Sequence, residues 1–116
     1  MKRPPITPVV HGIIDYAFSA MQLILPSLLK LNNQAKIQYL VTGASFGIVN
    51  AITDTPVAVK PVITFKDHQK ADAMFLTGTA LMTMSGMIRK DRRSMYFHLG
   101  FLSVAIMHYM LTDYDA

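Results

Sequence analysis

Four long stretches of this chain carry no Asp, Glu, Lys or Arg: residues 16–29, 37–53, 73–88 and 94–112. A helix that crosses a bilayer needs about 20 predominantly apolar residues. Four such stretches among 116 residues leave little chain for a water-facing surface. Charged residues make up 16% of the sequence, against about 25% in an average soluble domain. A soluble helix shows a polar face every third or fourth position, whereas residues 97–107 (FHLGFLSVAIM) offer only His98 and Ser103. The expected fold is all-α, with four transmembrane helices in a single integral membrane domain over residues 1–116. A soluble four-helix bundle with an apolar exterior is the competing form.

Local signals bound the helices. Thr7 is an N-cap and Pro8 stands at the first helical position, where its missing N–H costs nothing. The first helix is expected over 8–31, with Pro26 inside it as a kink, and Asn32-Asn33 as the turn. The second is expected over 34–52. Gly43-x3-Gly47 gives it a face on which another backbone can approach closely. Pro56 and Pro61 break the long joint that follows. Asp67 is the expected N-cap of a third helix over 68–89, with Gly78 and Gly86 as a second close-packing stripe. Ser94 or Asp91 caps a fourth helix that ends near residue 111. Lys2, Arg3, Pro4 and Pro5 precede an apolar stretch in the manner of a signal peptide, but His11 and Asp15 interrupt it, so the first helix is read as retained.

A motif occurs twice. His11 and Asp15 are four residues apart, as are His68 and Asp72, 57 residues later. Thr53-Asp54 recurs as Thr112-Asp113, 59 residues later. Each half reads His-x3-Asp, two apolar segments, then Thr-Asp. This predicts an internal duplication: two tandem helical hairpins, repeat 1 at about 8–54 and repeat 2 at about 67–113. Residues four apart on a helix share a face. Four spans would bring His11, Asp15, Asp54, His68, Asp72, His108 and Asp113 to one membrane face. The predicted contacts run from His11 and His68 to Asp54, Asp113 or their threonine neighbours, since antiparallel packing sets helix N-termini beside C-termini.

The basic residues lie in the joints, which suits lipid headgroups. Lys2, Arg3, Lys60, Lys66 and Lys70 fall on the side of the termini. Lys30, Lys36, Arg89, Lys90, Arg92 and Arg93 fall in the two short turns. The denser charge in the shorter turns points those to the cytoplasm and both termini outside. No basic patch interleaved with aromatics is present, so nucleic acid is not an expected partner. The expected partners are the lipid bilayer and other membrane-protein subunits, or further copies of the chain.

The His/Asp cluster admits four kinds of role. It can fasten helix ends, relay protons through residues that titrate near neutrality, bind zinc or iron through nitrogen and carboxylate ligands, or hold haem between His11 and His68. No Cys is present, and no HExxH or Cys/His zinc spacing occurs. Gly43-Ala-Ser-Phe-Gly47 matches the GxSxG pattern but falls inside a helix, where the nucleophile elbow cannot form. No catalytic residues are assigned and no cofactor is expected, with haem or a metal ion as the alternative.

His11-x3-Asp15-Tyr16, Pro26 near the end of the first span, Thr-Asp after the second, and the repetition of this plan together resemble the small bacterial four-helix membrane proteins of the SPW-repeat type. The resemblance spans nearly the whole chain. It implies a bacterial cytoplasmic-membrane protein and brings no established activity with it. The expected function is a non-enzymatic small integral membrane protein, an accessory subunit or oligomeric component, with a His/Asp cluster at one membrane face. The alternative is a proton-transfer or haem- or metal-binding redox carrier using that cluster.

Overall fold

Short polar side chains set where the helices begin. The computed structural model describes residues 2–116 and has five helices: α1 (Pro8–Leu28), α2 (Asn33–Ala51), α3 (Phe65–Met82), α4 (Gly86–Arg89) and α5 (Arg92–Leu111). The Thr7 hydroxyl accepts from the Val10 N–H at 3.3 Å, and Asn32 Oδ1 from the Ala35 N–H at 2.9 Å. Thr64 accepts from the Asp67 N–H at 3.1 Å. The cap of α3 is therefore Thr64 and not Asp67, and the helix starts three residues earlier than the sequence suggested. Each of these caps satisfies a backbone donor that the first turn leaves without a partner. Pro26 sits inside α1. The helix closes just beyond it: Lys30 takes φ 56° and the Leu31 N–H reaches the Pro26 carbonyl at 2.9 Å. A left-handed residue in that position ends a helix by returning a backbone donor to an orphan carbonyl.

The expected third helix over 68–89 does not run through. It ends at Met82, and a turn at residues 83–85 separates it from α4. The Ser85 hydroxyl donates to the Met82 carbonyl at 2.7 Å, and Thr83 Oγ1 lies 2.8 Å from His98 Nε2. Hydroxyl side chains that bond locally or reach sideways compete with the helical ladder. Gly86 consequently lies in α4, outside the expected stripe.

The remaining glycines divide sharply. A Cβ on Gly43 would come within 2.8 Å of Gln22 Cβ and 3.2 Å of the Ser19 carbonyl oxygen, and one on Gly47 within 2.7 Å of Ser19 Oγ. The Ser19 hydroxyl donates to the Gly43 carbonyl at 2.6 Å. These two glycines let α1 and α2 touch backbone to backbone. Gly78 meets nothing within 4 Å, and Gly86 only the Lys90 side chain. Gly78 faces an open groove of about 410 Å³ between α2 and α3. The expected packing role of Gly78 and Gly86 is not realised, because α3 stands away from α2 there. Gly12, unremarked in the sequence, is tightest of all: a Cβ there would lie 2.5 Å from Val57 Cγ2.

Two short backbone pairings close one end of the bundle. Ile6 donates to the Leu111 carbonyl at 3.0 Å and accepts from the Asp113 N–H at 2.8 Å. Ile63 donates to the Ile52 carbonyl at 3.0 Å and accepts from the Asp54 N–H at 2.8 Å. The isoleucines are offset by 57 residues and their partners by 59, the same offsets as the sequence motifs.

The interior is polar and the exterior apolar. Among the described residues, 14 buried side chains are polar or charged and seven are hydrophobic. Exposed large apolar residues lie on all four long helices, among them Ile13, Ile24, Ile37, Val41, Met74, Leu81, Val104 and Met107. Two helices, α1 and α5, are long and apolar enough to cross a membrane.

Candidate polar centre

Five of the seven residues singled out in the sequence meet at one point. His11 and Asp15 come from α1, His68 and Asp72 from α3, and His108 from α5. The first four are at most 5% exposed and His108 is 7% exposed. His11 Nε2 lies 3.2 Å from His68 Nε2, 3.1 Å from Asp15 Oδ2 and 3.0 Å from Asp72 Oδ2. His68 Nε2 lies 2.8 Å from Asp15 Oδ2 and 3.2 Å from Asp72 Oδ1. His108 Nε2 lies 2.9 Å from Asp15 Oδ1.

Asp54 and Asp113 do not join them. Asp54 is exposed. The Asp113 carboxylate turns outward to Arg3, 2.8 Å away. Their threonine neighbours face inward instead. Thr112 Oγ1 lies 2.7 Å from His11 Nδ1, and Thr53 Oγ1 lies 2.7 Å from His68 Nδ1. The reason is local. Each threonine hydroxyl donates to the carbonyl four residues earlier, Val49 for Thr53 and His108 for Thr112, both at 2.6 Å. That bond holds the side chain against the helix end, on the inner side. The chain then becomes extended, and the next side chain points the opposite way.

The same bonds assign the imidazole protons. Each threonine has one hydroxyl proton, already given to a backbone carbonyl, so its oxygen can only accept from the histidine. His11 and His68 therefore both carry a proton on Nδ1 and turn Nε2 toward the carboxylates. His108 donates through Nε2 to Asp15 Oδ1. The Tyr114 hydroxyl donates to Asp72 Oδ2 at 2.7 Å. Burial, together with the neighbouring Asp72, pushes the Tyr114 phenol up, so it stays a donor. Each carboxylate thus has one oxygen held from outside the cluster. Asp72 Oδ1 has no aligned hydrogen-bond donor, and His108 Nδ1 has no hydrogen-bond partner. Rings enclose the group: His108 stacks on His11 at 4.0 Å between centroids, and Phe65 and Tyr114 meet His11 edge-on at 5.5 and 5.3 Å. Beside it lies a cavity of about 20 Å³, lined by Asp15, Asp72, His108 and Tyr114 with Phe18 and Phe75. That space fits one water molecule.

The chemistry open to this centre is that of proton or cation binding. Both threonine hydroxyls are committed to backbone carbonyls. Ser45, the serine of the GxSxG match, lies mid-α2 with its hydroxyl on the Val41 carbonyl at 2.7 Å.

The opposite end holds a second buried histidine. His98 Nδ1 lies 2.6 Å from the Tyr39 hydroxyl, and its Nε2 is on Thr83. Nearby, Asn32 joins the two short turns through the Met87 carbonyl at 2.7 Å, Asp91 Oδ2 at 3.1 Å and Ser94. The Ser94 hydroxyl and then Asn32 hold the Asp91 carboxyl below its ordinary range. Tyr39 and Tyr114 fall near helix ends, where an interfacial aromatic belt was expected, but both are buried; Gln22 and Asn50 were not marked in the sequence. A polar amide inside a charge-free stretch was the available signal for Gln22, which bonds the Phe18 carbonyl at 3.3 Å, and for Asn50, which bonds the Gly12 carbonyl at 2.8 Å.

No family model matches the chain, and no curated protein and no solved structure matches it either.

Proposed function

We propose that this protein is a small integral membrane protein of four spans, built from two duplicated hairpins, and that its buried His/Asp centre fastens the hairpins together at one membrane face. The observation that carries the reading is the inverted distribution of polarity. A water-soluble domain buries apolar side chains and rarely buries Asp unless it is paired. Here the buried set is led by His11, Asp15, Gln22, Asn50, His68 and Asp72, while large apolar side chains are exposed on every long helix. Burying polar groups together and exposing apolar ones lowers free energy in lipid and raises it in water.

The duplication is supported by the matched caps at Thr7 and Thr64 and the matched pairings at Ile6 and Ile63. A non-enzymatic role is supported by the size of the cavity at the centre, which has room for a water and none for an organic substrate. Partner subunits or a second copy would cover the groove beside Gly78.

Membrane extraction tests the reading. Expressed protein should remain with the membrane fraction through carbonate and high-salt washes and be released by detergent. Recovery in the wash would remove the membrane assignment. Cysteines placed singly at residues 30 and 90, and at residues 3 and 60, should label from opposite sides of sealed vesicles.

A further inference from the structure

The centre has the two shells of ligand and support that a bound metal requires. We propose that His11, His68, Asp15 and Asp72 form a binding site for one divalent transition-metal ion of the zinc type. Each of the four residues brings one ligand atom within 4.8 Å of the others; Nε2 of His11 and His68, Asp15 Oδ2 and Asp72 Oδ1 are the atoms their other partners leave for the centre. Four of the separations among them are 3.2, 3.1, 2.8 and 3.2 Å. A tetrahedral zinc ion with bonds of about 2.0–2.2 Å spaces its ligands about 3.3–3.6 Å apart. Three of the four lie within a few tenths of an ångström, roughly, of that spacing, and the His68–Asp15 contact at 2.8 Å would open further.

Support comes from the neighbours, one for each ligand. Thr112 and Thr53 accept the Nδ1 protons of His11 and His68 and so leave Nε2 as the nitrogen that faces the centre, where a metal ion would displace its proton. His108 occupies the second oxygen of Asp15, and Tyr114 the second oxygen of Asp72. That arrangement leaves one oxygen of each carboxylate to ligate. Outer-shell hydrogen bonds of this kind orient metal ligands and fix the imidazole tautomer. A further observation points at a ligand: Asp72 Oδ1, on a side chain 6% exposed, is aimed into the centre without an aligned donor. Charge also closes. Once the ion has displaced the Nε2 protons, two carboxylates and two neutral imidazoles carry −2, and a divalent cation makes the buried site neutral, which a low-dielectric interior demands. Nitrogen and oxygen ligands in tetrahedral array favour zinc over the oxygen-only sites of calcium and magnesium. Haem does not fit the same residues, because the carboxylates lie against both imidazoles and leave no slot for a macrocycle.

The test uses the purified full chain, in detergent where it requires one, stripped with chelator and titrated with Zn²⁺ alone. The wild type should bind one ion per chain, gain thermal stability, and show only nitrogen and oxygen neighbours at about 2.0 Å in X-ray absorption. His68→Ala and Asp72→Asn should lose stoichiometric binding. Thr53→Val, which keeps all four ligands, should bind about 10–100-fold more weakly, and it carries the test if the ligand variants do not fold. His98→Gln should bind as the wild type does. Absence of stoichiometric Zn²⁺ on the wild type at micromolar concentration overturns the proposal, and so does equal loss in His98→Gln and His68→Ala. Metal binding and membrane residence are read separately, so failure of one leaves the other standing.

Discussion

Two ends of one bundle bury histidines on opposite terms. At the end near the termini, His11 and His68 each satisfy one ring nitrogen with a threonine and send the other to a shared pair of carboxylates. At the far end, His98 satisfies both nitrogens with neutral hydroxyls, those of Tyr39 and Thr83. The aromatic side chains of Phe18, Tyr39 and Phe101 pack between them. The difference teaches that burial alone does not mark a site. His98 is 0% exposed, as buried as His11 and His68, yet it has no donor or acceptor left to offer. A histidine becomes a candidate for chemistry when one nitrogen is locked and the other is aimed at charge.

That contrast breaks most directly at Asp15, which three histidines face. Asp15→Ala should cost about 3–5 kcal/mol, because removing one member of a buried ionic group leaves the others uncompensated. Chemical unfolding of wild type and variant, in detergent, measures it. A loss no larger than that from a far-end variant would mean that the two ends are equivalent after all. At the far end, Tyr39→Phe deletes one neutral partner and strands His98 Nδ1, which costs about 1–3 kcal/mol. It should leave Zn²⁺ binding untouched, which separates a structural histidine from a ligating one.

The glycines sharpen the comparison along the bundle. Gly43→Ala drives a methyl into Gln22 and the Ser19 carbonyl, and overpacking of this kind costs about 1–3 kcal/mol. Gly78→Ala meets no atom and removes a helix-interior glycine, so it should stabilise by up to about 1 kcal/mol. Thermal unfolding of the two variants side by side reads the sign. Destabilisation by Gly78→Ala would point to a partner that fills the groove beside α3.

Which parts of this were legible in advance follows a physical line. The apolar stretches and the doubled His-x3-Asp are local and periodic, so the helical class and the shared end of the histidines could be read directly. Choosing between Thr53 and Asp54, or Thr112 and Asp113, required knowing that the threonine hydroxyl bonds back to its own helix, and that the next residue then points outward. At the break after Met82, Ser85 bonds locally to the Met82 carbonyl, while Thr83 reaches across to His98, a contact 15 residues away that no local signal announces. Gly78 had the spacing of a packing stripe, but spacing places residues on a face and not that face against a neighbour. The likeness to SPW-repeat proteins rests on spacing too, since the chain has no Trp.

The smallest effect belongs to the far-end charge. Asp91 is held below the ordinary carboxylate value of 3.8, first by the Ser94 hydroxyl and then by Asn32. A carboxyl depressed in the fold contributes stability that is fully present above the unfolded value and lost as pH falls through the lower folded one. Its contribution should therefore persist at pH 6 and fade between about pH 4 and the acid side of that value. Asp91→Asn removes the titrating group while keeping an acceptor for Ser94 and Asn32. Wild type and Asp91→Asn should then differ modestly in melting temperature at pH 6, and the gap should narrow at pH 3. A gap that widens in acid would mean that Asp91 is held protonated in the fold, and that the contact between the starts of α2 and α5 is organised around a neutral acid and not an anion.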